Sequence, residues 1–247
     1  MTLPAPMPSP DGRLPRYQQI RDDLARRIAA SEWLPEQAIP TETELCAAYS
    51  VSIGTLRKAI DVLESQGLLL RSQGRGTFVR RPQFDSSLFR FFRFKSRSGE
   101  AVRPAARVLS RETGQPDEAV RSALRLGPDE AALRLKRLRL IDGEPVLSEE
   151  IWLPLQRFSA IVDLPLDAFE DLLYPLYERS CRQVVASATE TLRVEKALPP
   201  RTTDIGVPSG APLIHVQRTA FDFAGQPIEW RSTWGSAEGF EYQIEIR

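Results

Sequence analysis

The chain has 247 residues, 42% hydrophobic and 27% charged, with 33 basic and 33 acidic side chains. That is an ordinary globular composition with room for one large domain or two modest ones. No run of 18 apolar residues occurs, which excludes a membrane-spanning helix. The neutral total hides an asymmetry. Residues 1–107 carry 17 Lys and Arg against 11 Asp and Glu, and residues 108–247 carry 16 against 22. Two parts with different partners are expected, the basic one facing a polyanion. Cys46 and Cys181 are far apart and read as reduced core thiols, which suits a cytoplasmic protein. With the single His215 they cannot make the usual zinc ligand set, and no G-x-S-x-G elbow accompanies that histidine. No metal, cofactor or catalytic residue is therefore expected.

In chain order, residues 1–15 are Pro-rich and lack the apolar segment of a secretory signal, so a flexible tail is expected. Residues 16–31 carry Tyr17, Ile20, Leu24 and Ile28 at helical spacing. Thr41 and Glu44 form a capping box that opens a short second helix with Leu45 and Ala48 inward. Ser52 can cap a third helix whose stripe is Leu56, Ala59, Ile60 and Leu63, with Gly67 at its C-terminal cap. Only a few residues separate helices two and three, which is helix-turn-helix spacing. "LLLRSQGRGTFVRR" then reads as two strands around a Gly-rich turn, completing the layout of a winged helix.

Arg75, between Gly74 and Gly76, sits at the tip of that turn. It could cradle a phosphate, enter a nucleic-acid groove or be solvated. A Walker loop needs G-K-[ST] before a helix, which is absent. Behind a capped three-helix unit, a narrow cationic tip suits the minor groove. Ser52, Thr55, Arg57 and Lys58 fall near the start of the third helix, where hydroxyls meet phosphates and Arg meets guanine.

The segment from "RYQQIRDDLARRI" to "GRGTFV" resembles the DNA-binding domain of the GntR family of bacterial transcription regulators. The motifs that carry the resemblance span residues 16–80. They are Tyr17, Gln19 and Ile20; Pro40 to Glu42 with Glu44 and Leu45; Val51 and Ser52 with Thr55 and Arg57; Gly67; and Gly74 to Val79. The resemblance implies a DNA-facing set of Tyr17, Thr41, Glu42, Ser52, Thr55, Arg57, Lys58, Gln73, Gly74, Arg75 and Gly76. Two arginines that contact DNA in the family are replaced by Thr43 and Ile53, so the usual operator sequence is not carried over.

Residues 82–104 hold five Phe among Arg, Lys and Ser. A linker is placed at 82–89 and a second unit at 90–247, after a winged-helix unit at 16–81. In the second unit "RVLSRE" reads as a strand and "PDEAVRSALRLGPDEAAL" as a helix ended by Gly127. "LRLKRLRLIDGEPVLSEEIWLP" reads as a hairpin with an Asp-Gly turn, and "LDAFEDLLYPLYERS" as a helix kinked at Pro175. A strand and helix follow in "ASATETLRVEKA", then a second hairpin of related design in "APLIHVQRTAFDFAGQPIEWRSTWG", where His215 is a strand residue. The fold class is α+β, a winged helix-turn-helix followed by an antiparallel sheet with flanking helices.

Period two puts Leu133, Leu135, Arg137, Arg139 and Ile141 on one strand face. Two arginines on an apolar face are costly unless paired or used, and guanidinium grips phosphate or carboxylate bidentately. A strict two-residue turn would put Ser148 and Glu150 on that face; a bulge would put Glu149 there. This second segment resembles the effector-sensing UTRA domain of the HutC-like GntR subgroup, similar in fold to chorismate lyase. The resemblance implies an effector site of Arg137, Arg139, Glu149, Glu229, Arg231 and Ser232, with the R-x-R pair on an acidic group. It also implies a homodimer on a near-palindromic DNA operator, acting as a repressor whose DNA affinity changes when a small phosphate- or carboxylate-bearing effector binds, with no membrane partner. Two other readings stay open: a regulator whose second domain only dimerises, and a lyase-like enzyme. The latter lacks an evident nucleophile or tuned acid–base pair.

Overall fold

The computed structural model describes residues 14–81, 104–238 and 240. The expected linker at 82–89 and the Phe-rich lead-in lie outside the described residues, as does most of the expected N-terminal tail. Two compact units are present, the first built on the N-terminal segment and the second on most of the rest.

In the first unit, α1 (Arg16–Ala29), α2 (Glu42–Tyr49) and α3 (Ile53–Ser65) precede a hairpin of β1 (Leu69–Ser72) and β2 (Gly76–Val79). The capping box opens α2: Thr41 Oγ1 accepts from Glu44 N at 3.3 Å, and Glu44 Oε2 accepts from Thr41 N at 2.8 Å. Ser52 Oγ accepts from Thr55 N to start α3, and Gly67 follows its end at φ +75°. The expected stripe of α3 is buried together with Ile20, Leu24, Ile28 and Leu45. Ala48 is exposed, contrary to expectation, and Tyr49 is buried instead. Tyr49 lies four residues after Leu45, on the same helical face. Its hydroxyl donates to Asp23 Oδ2 at 2.7 Å and accepts from Arg27 Nη1 at 3.3 Å, tying α2 to α1.

The second unit contains β3 (Ala105–Gly114), α4 (Glu118–Leu124), β4 (Ala132–Ile141), β5 (Glu144–Pro154), α5 (Leu155–Phe158), α6 (Leu173–Cys181), β6 (Ser187–Lys196), α7 (Arg201–Asp204), β7 (Pro212–Phe221) and β8 (Pro227–Ser236). The six strands form one antiparallel sheet in the order β3-β4-β5-β8-β7-β6. The two hairpins of related design thus meet at the centre, where β5 pairs with β8. One sheet face packs Leu133, Leu135, Ile151 and Leu153 against Phe158, Leu173, Leu176 and Tyr177 from α5 and α6. The other face packs Ala132 and Trp152 against Val120 and Leu124 of α4.

Two helix boundaries differ from expectation. α4 stops at Leu124 because Arg125 itself adopts the left-handed cap at φ 54°, so Gly127 is not its terminator. α6 begins only at Leu173, which makes Pro175 a first-turn residue. The N–H that proline lacks has no partner inside a helix at that position, so no kink is required.

The β4–β5 turn is the expected Asp142–Gly143, both at positive φ. Three residues later the register shifts: Arg139 pairs with Leu147 but Leu140 pairs with Pro145, leaving Val146 as a bulge. That extra residue turns the rest of β5 over. Glu149 becomes the direct partner of Arg137, and Glu150 the partner of Lys136 on the opposite face.

Candidate functional site

In the first unit, the candidate residues form three groups. Thr41, Glu42 and Arg57 line one groove together with Gln73, Gly74, Arg75 and Gly76 of the hairpin tip. Arg57 Nε donates to Glu42 Oε2 at 2.9 Å, and the Arg57 side chain is 57% exposed. The pair spans from the first residue of α2 to the first half of α3, holding a guanidinium at the surface. The tip closes when Arg75 N donates to Ser72 O at 3.0 Å. Gly74 and Gly76 sit at φ +73° and +118°, which disfavours any side chain. A Cβ at Gly74 would meet nothing within 4 Å, so the backbone angle and not crowding demands glycine there. Tyr17 and Lys58 form a separate pair, with Lys58 Nζ 4.1 Å from the ring centroid. Ser52 is exposed at the cap of α3, its Oγ 3.1 Å from Thr55 Oγ1. Thr43 is exposed, and Ile53 is 49% exposed at the first residue of α3. This face offers backbone amides, hydroxyls and guanidinium groups, which is the donor set for a nucleic-acid backbone and base edges.

In the second unit, Arg137, Arg139, Glu149, Glu229 and Arg231 come together on one sheet face, all 2% exposed or less. Arg137 Nε donates to Glu149 Oε2 at 2.6 Å, and Arg231 Nη1 lies 3.5 Å from Glu149 Oε1. Arg231 Nη2 donates to Glu229 Oε2 at 2.6 Å. Tyr177 and Tyr174 of α6 donate to the two oxygens of Glu229 at 2.8 and 3.2 Å. Arg218 Nη1 reaches Tyr174 Oη at 3.1 Å, and Arg218 also pairs with Glu190. The network therefore crosses five strands, from β4 to β6.

Electrostatics follow from this crowding. Burial opposes ionisation of Glu149, but Arg137, Arg231 and Arg139 outweigh it and hold the carboxyl at about 2. Burial pushes the Arg139 guanidinium down to about 10; Glu149 opposes this, and Arg137 and Arg231 add to it. Burial, then Glu229, pushes Tyr174 up to about 12. Glu149 Oε1 and Arg231 Nε are buried without a hydrogen-bond partner among the described residues. Glu149 Oε1 keeps only its 3.5 Å ion pair to Arg231, and Arg231 Nε is a donor without a hydrogen bond beside the arginine pair. Guanidinium groups side by side are the chemistry that grips a phosphate or carboxylate.

Ser232 is not part of this cluster. Side chains alternate along β8, so Ser232 faces the other way from Glu229 and Arg231. Its Oγ lies 2.9 Å from His215 Nε2, while His215 Nδ1 lies 2.7 Å from Glu195 Oε1. The order serine–histidine–carboxylate is that of a hydrolase triad. Ser232, however, lies within a strand and is only 1% exposed, and His215 is stacked on Trp234. This arrangement ties β6, β7 and β8 together. Arg218, Tyr174 and Tyr177 belong to the network although the sequence reading passed over them. Among the described residues no group of His, Cys, Asp or Glu could hold a metal ion, and no helix is long and apolar enough to cross a membrane.

Comparison with known proteins matches residues 16–79 to the bacterial regulatory proteins of the gntR family and residues 100–241 to the UTRA domain. The mannosyl-D-glycerate transport/metabolism system repressor MngR of Escherichia coli is 31% identical over 175 residues, covering 70% of this chain and 72% of its own. The transcriptional repressor NagR of Bacillus subtilis is 26% identical over 217 residues, covering 87% and 88%. The crystal structure of PhnF from Mycobacterium smegmatis has the same fold, with a TM-score of 0.53 at 20% identity over 92% of this chain and 99% of that one.

Proposed function

Since the chain belongs to the GntR family of bacterial transcription regulators and carries a UTRA domain, we propose that it is a dimeric repressor released by a small anionic metabolite. In this reading residues 16–81 bind the operator, 82–89 link, and 90–247 sense the effector and dimerise. The observation that carries the anionic effector is the side-by-side burial of Arg137 and Arg139, each no more than 2% exposed. A phosphate or carboxylate takes both guanidinium groups bidentately. Arg231 Nε, buried without a hydrogen-bond partner among the described residues, then suits a hydroxyl group. The relative MngR is named for mannosyl-D-glycerate, a sugar bearing a carboxylate, and the same class of ligand fits here. The DNA face uses Arg57 on α3 and Arg75 in the minor groove, with Thr41, Ser52 and Thr55 near phosphates. Tyr17 holds Lys58 in place. The protein acts in the cytoplasm.

Selection of random duplex DNA by the purified full chain at low salt tests this reading. The expected product is a near-palindrome bound by two chains in sedimentation. Its half-sites will depart from the family's usual sequence, because Thr43 and Ile53 cannot make the missing arginine contacts. Enrichment of a single half-site bound by one chain contradicts the dimer. No enrichment by the folded protein contradicts the operator reading.

A further inference from the structure

We propose that Asp171 is a latch: its main chain occupies the arginine pair in place of an anion, and its side chain ties that occupancy to the start of β3. The proposal rests on the reading of Arg137 and Arg139 as the anion site. The Asp171 carbonyl oxygen accepts from Arg139 Nη1 at 2.5 Å and from Arg137 Nη1 at 3.4 Å. The same residue's Oδ1 accepts from Ala106 N at 2.6 Å. One exposed residue thus bridges two buried cations and the second residue of β3.

The bridge is built to be displaced. Phe169 and Leu173 are buried at either end, while Glu170 and Asp171 between them are exposed. That stretch has no regular structure, and Leu172 gives α6 no side-chain cap. A carbonyl is a neutral acceptor, whereas a phosphate or carboxylate brings a full opposite charge to the two guanidinium groups and can accept from them bidentately. An anion therefore takes Arg139 and Arg137 from the carbonyl. Once residue 171 has moved, its carboxylate no longer reaches Ala106. β3 is an edge strand, so the Ala106 N–H then turns to water. The chain runs back from this point through residues 82–103 to the DNA-binding unit. Release of Ala106 is thus the first step that follows directly from anion binding along the covalent path to the head. Linkage requires the converse: the latch must weaken anion binding.

Hydrogen exchange of the full chain, read by mass spectrometry on a peptide covering residues 104–108, tests this with inorganic phosphate as the probe. Saturating phosphate is expected to speed exchange there by about tenfold, the loss of one hydrogen bond to a charged group. Asp171→Ala is expected to show that fast exchange without phosphate and to bind phosphate about threefold to tenfold tighter by calorimetry. Peptides from α3 and β7 report that the variant is folded. Phosphate binding with unchanged protection of 104–108 overturns the latch and leaves the anion site standing. Wild-type protection of 104–108 in Asp171→Ala also overturns it. Failure of both proteins to bind phosphate at millimolar concentration removes the anion site, and the latch with it.

Discussion

Glu149→Ala is expected to destabilise the sensor unit by about 3–5 kcal/mol, because it leaves Arg137 and Arg231 buried without their shared carboxylate. Both arginines are 2% exposed, so water does not substitute. The acid dependence has a definite sign. The folded-state value of Glu149 is about 2 against an ordinary 4.5. A carboxyl depressed by folding contributes stability above its unfolded value and loses it as pH falls through the folded one. The contribution is full at pH 7 and fades between about pH 4.5 and pH 2. Urea unfolding at pH 7 and pH 3 reads this directly: wild type should lose stability over that interval and Glu149→Ala should lose less. Arg137→Met combined with Glu149→Leu removes both charges and should recover most of the loss, since an apolar pair of similar volume replaces a buried ion pair with little penalty. Equal stability of Glu149→Ala and wild type would mean that the ion pair is solvated in solution.

Arg57→Ala is expected to weaken operator binding by about 10- to 100-fold per half-site, the value of one good bidentate base contact. In the proposed reading Arg57 carries much of the readout, because the family resemblance implies arginines at the positions that Thr43 and Ile53 occupy. Glu42 holds its guanidinium at 2.9 Å, so the side chain is oriented before DNA arrives. Arg57→Lys should not restore the affinity, since an ammonium cannot bond one base at two points. Fluorescence anisotropy on the selected operator checks both variants. Loss of affinity without relaxed specificity at any one base pair would reassign Arg57 to a phosphate.

Much of the head was legible because its signals are local. The Thr41–Glu44 box, the Ser52 cap, the α3 stripe and the Gly-Arg-Gly tip each depend on residues within a few positions of one another. Ala48 misled because a short helix gives few turns from which to fix the buried face, and Tyr49 has both the bulk and the hydroxyl to fill it. In the sensor, period two was enough to place Arg137 and Arg139 together. It could not choose between Glu149 and Glu150, because the choice depends on one bulged residue, Val146, whose side chain gives no sign of it. Arg125 ends α4 in a conformation usually left to glycine, so Gly127 drew the boundary too late. The rest of the network is long-range. Tyr174 and Tyr177 meet Glu229 across more than 50 residues of sequence, and only the docking of α6 on the sheet brings them together. Ser232 is the converse case: next to Arg231 in sequence, it faces the opposite side of the sheet.

Control of DNA binding by an anion at the arginine pair is tested most directly by titrating the selected operator in the presence of phosphorylated sugars and sugar acids. Wild type and the Arg137→Ala, Arg139→Ala double variant should be compared side by side. At least one of these compounds should weaken operator binding by wild type by tenfold or more, while the folded double variant stays bound to the operator throughout. A double variant that releases DNA at the same effector concentration as wild type would contradict the account.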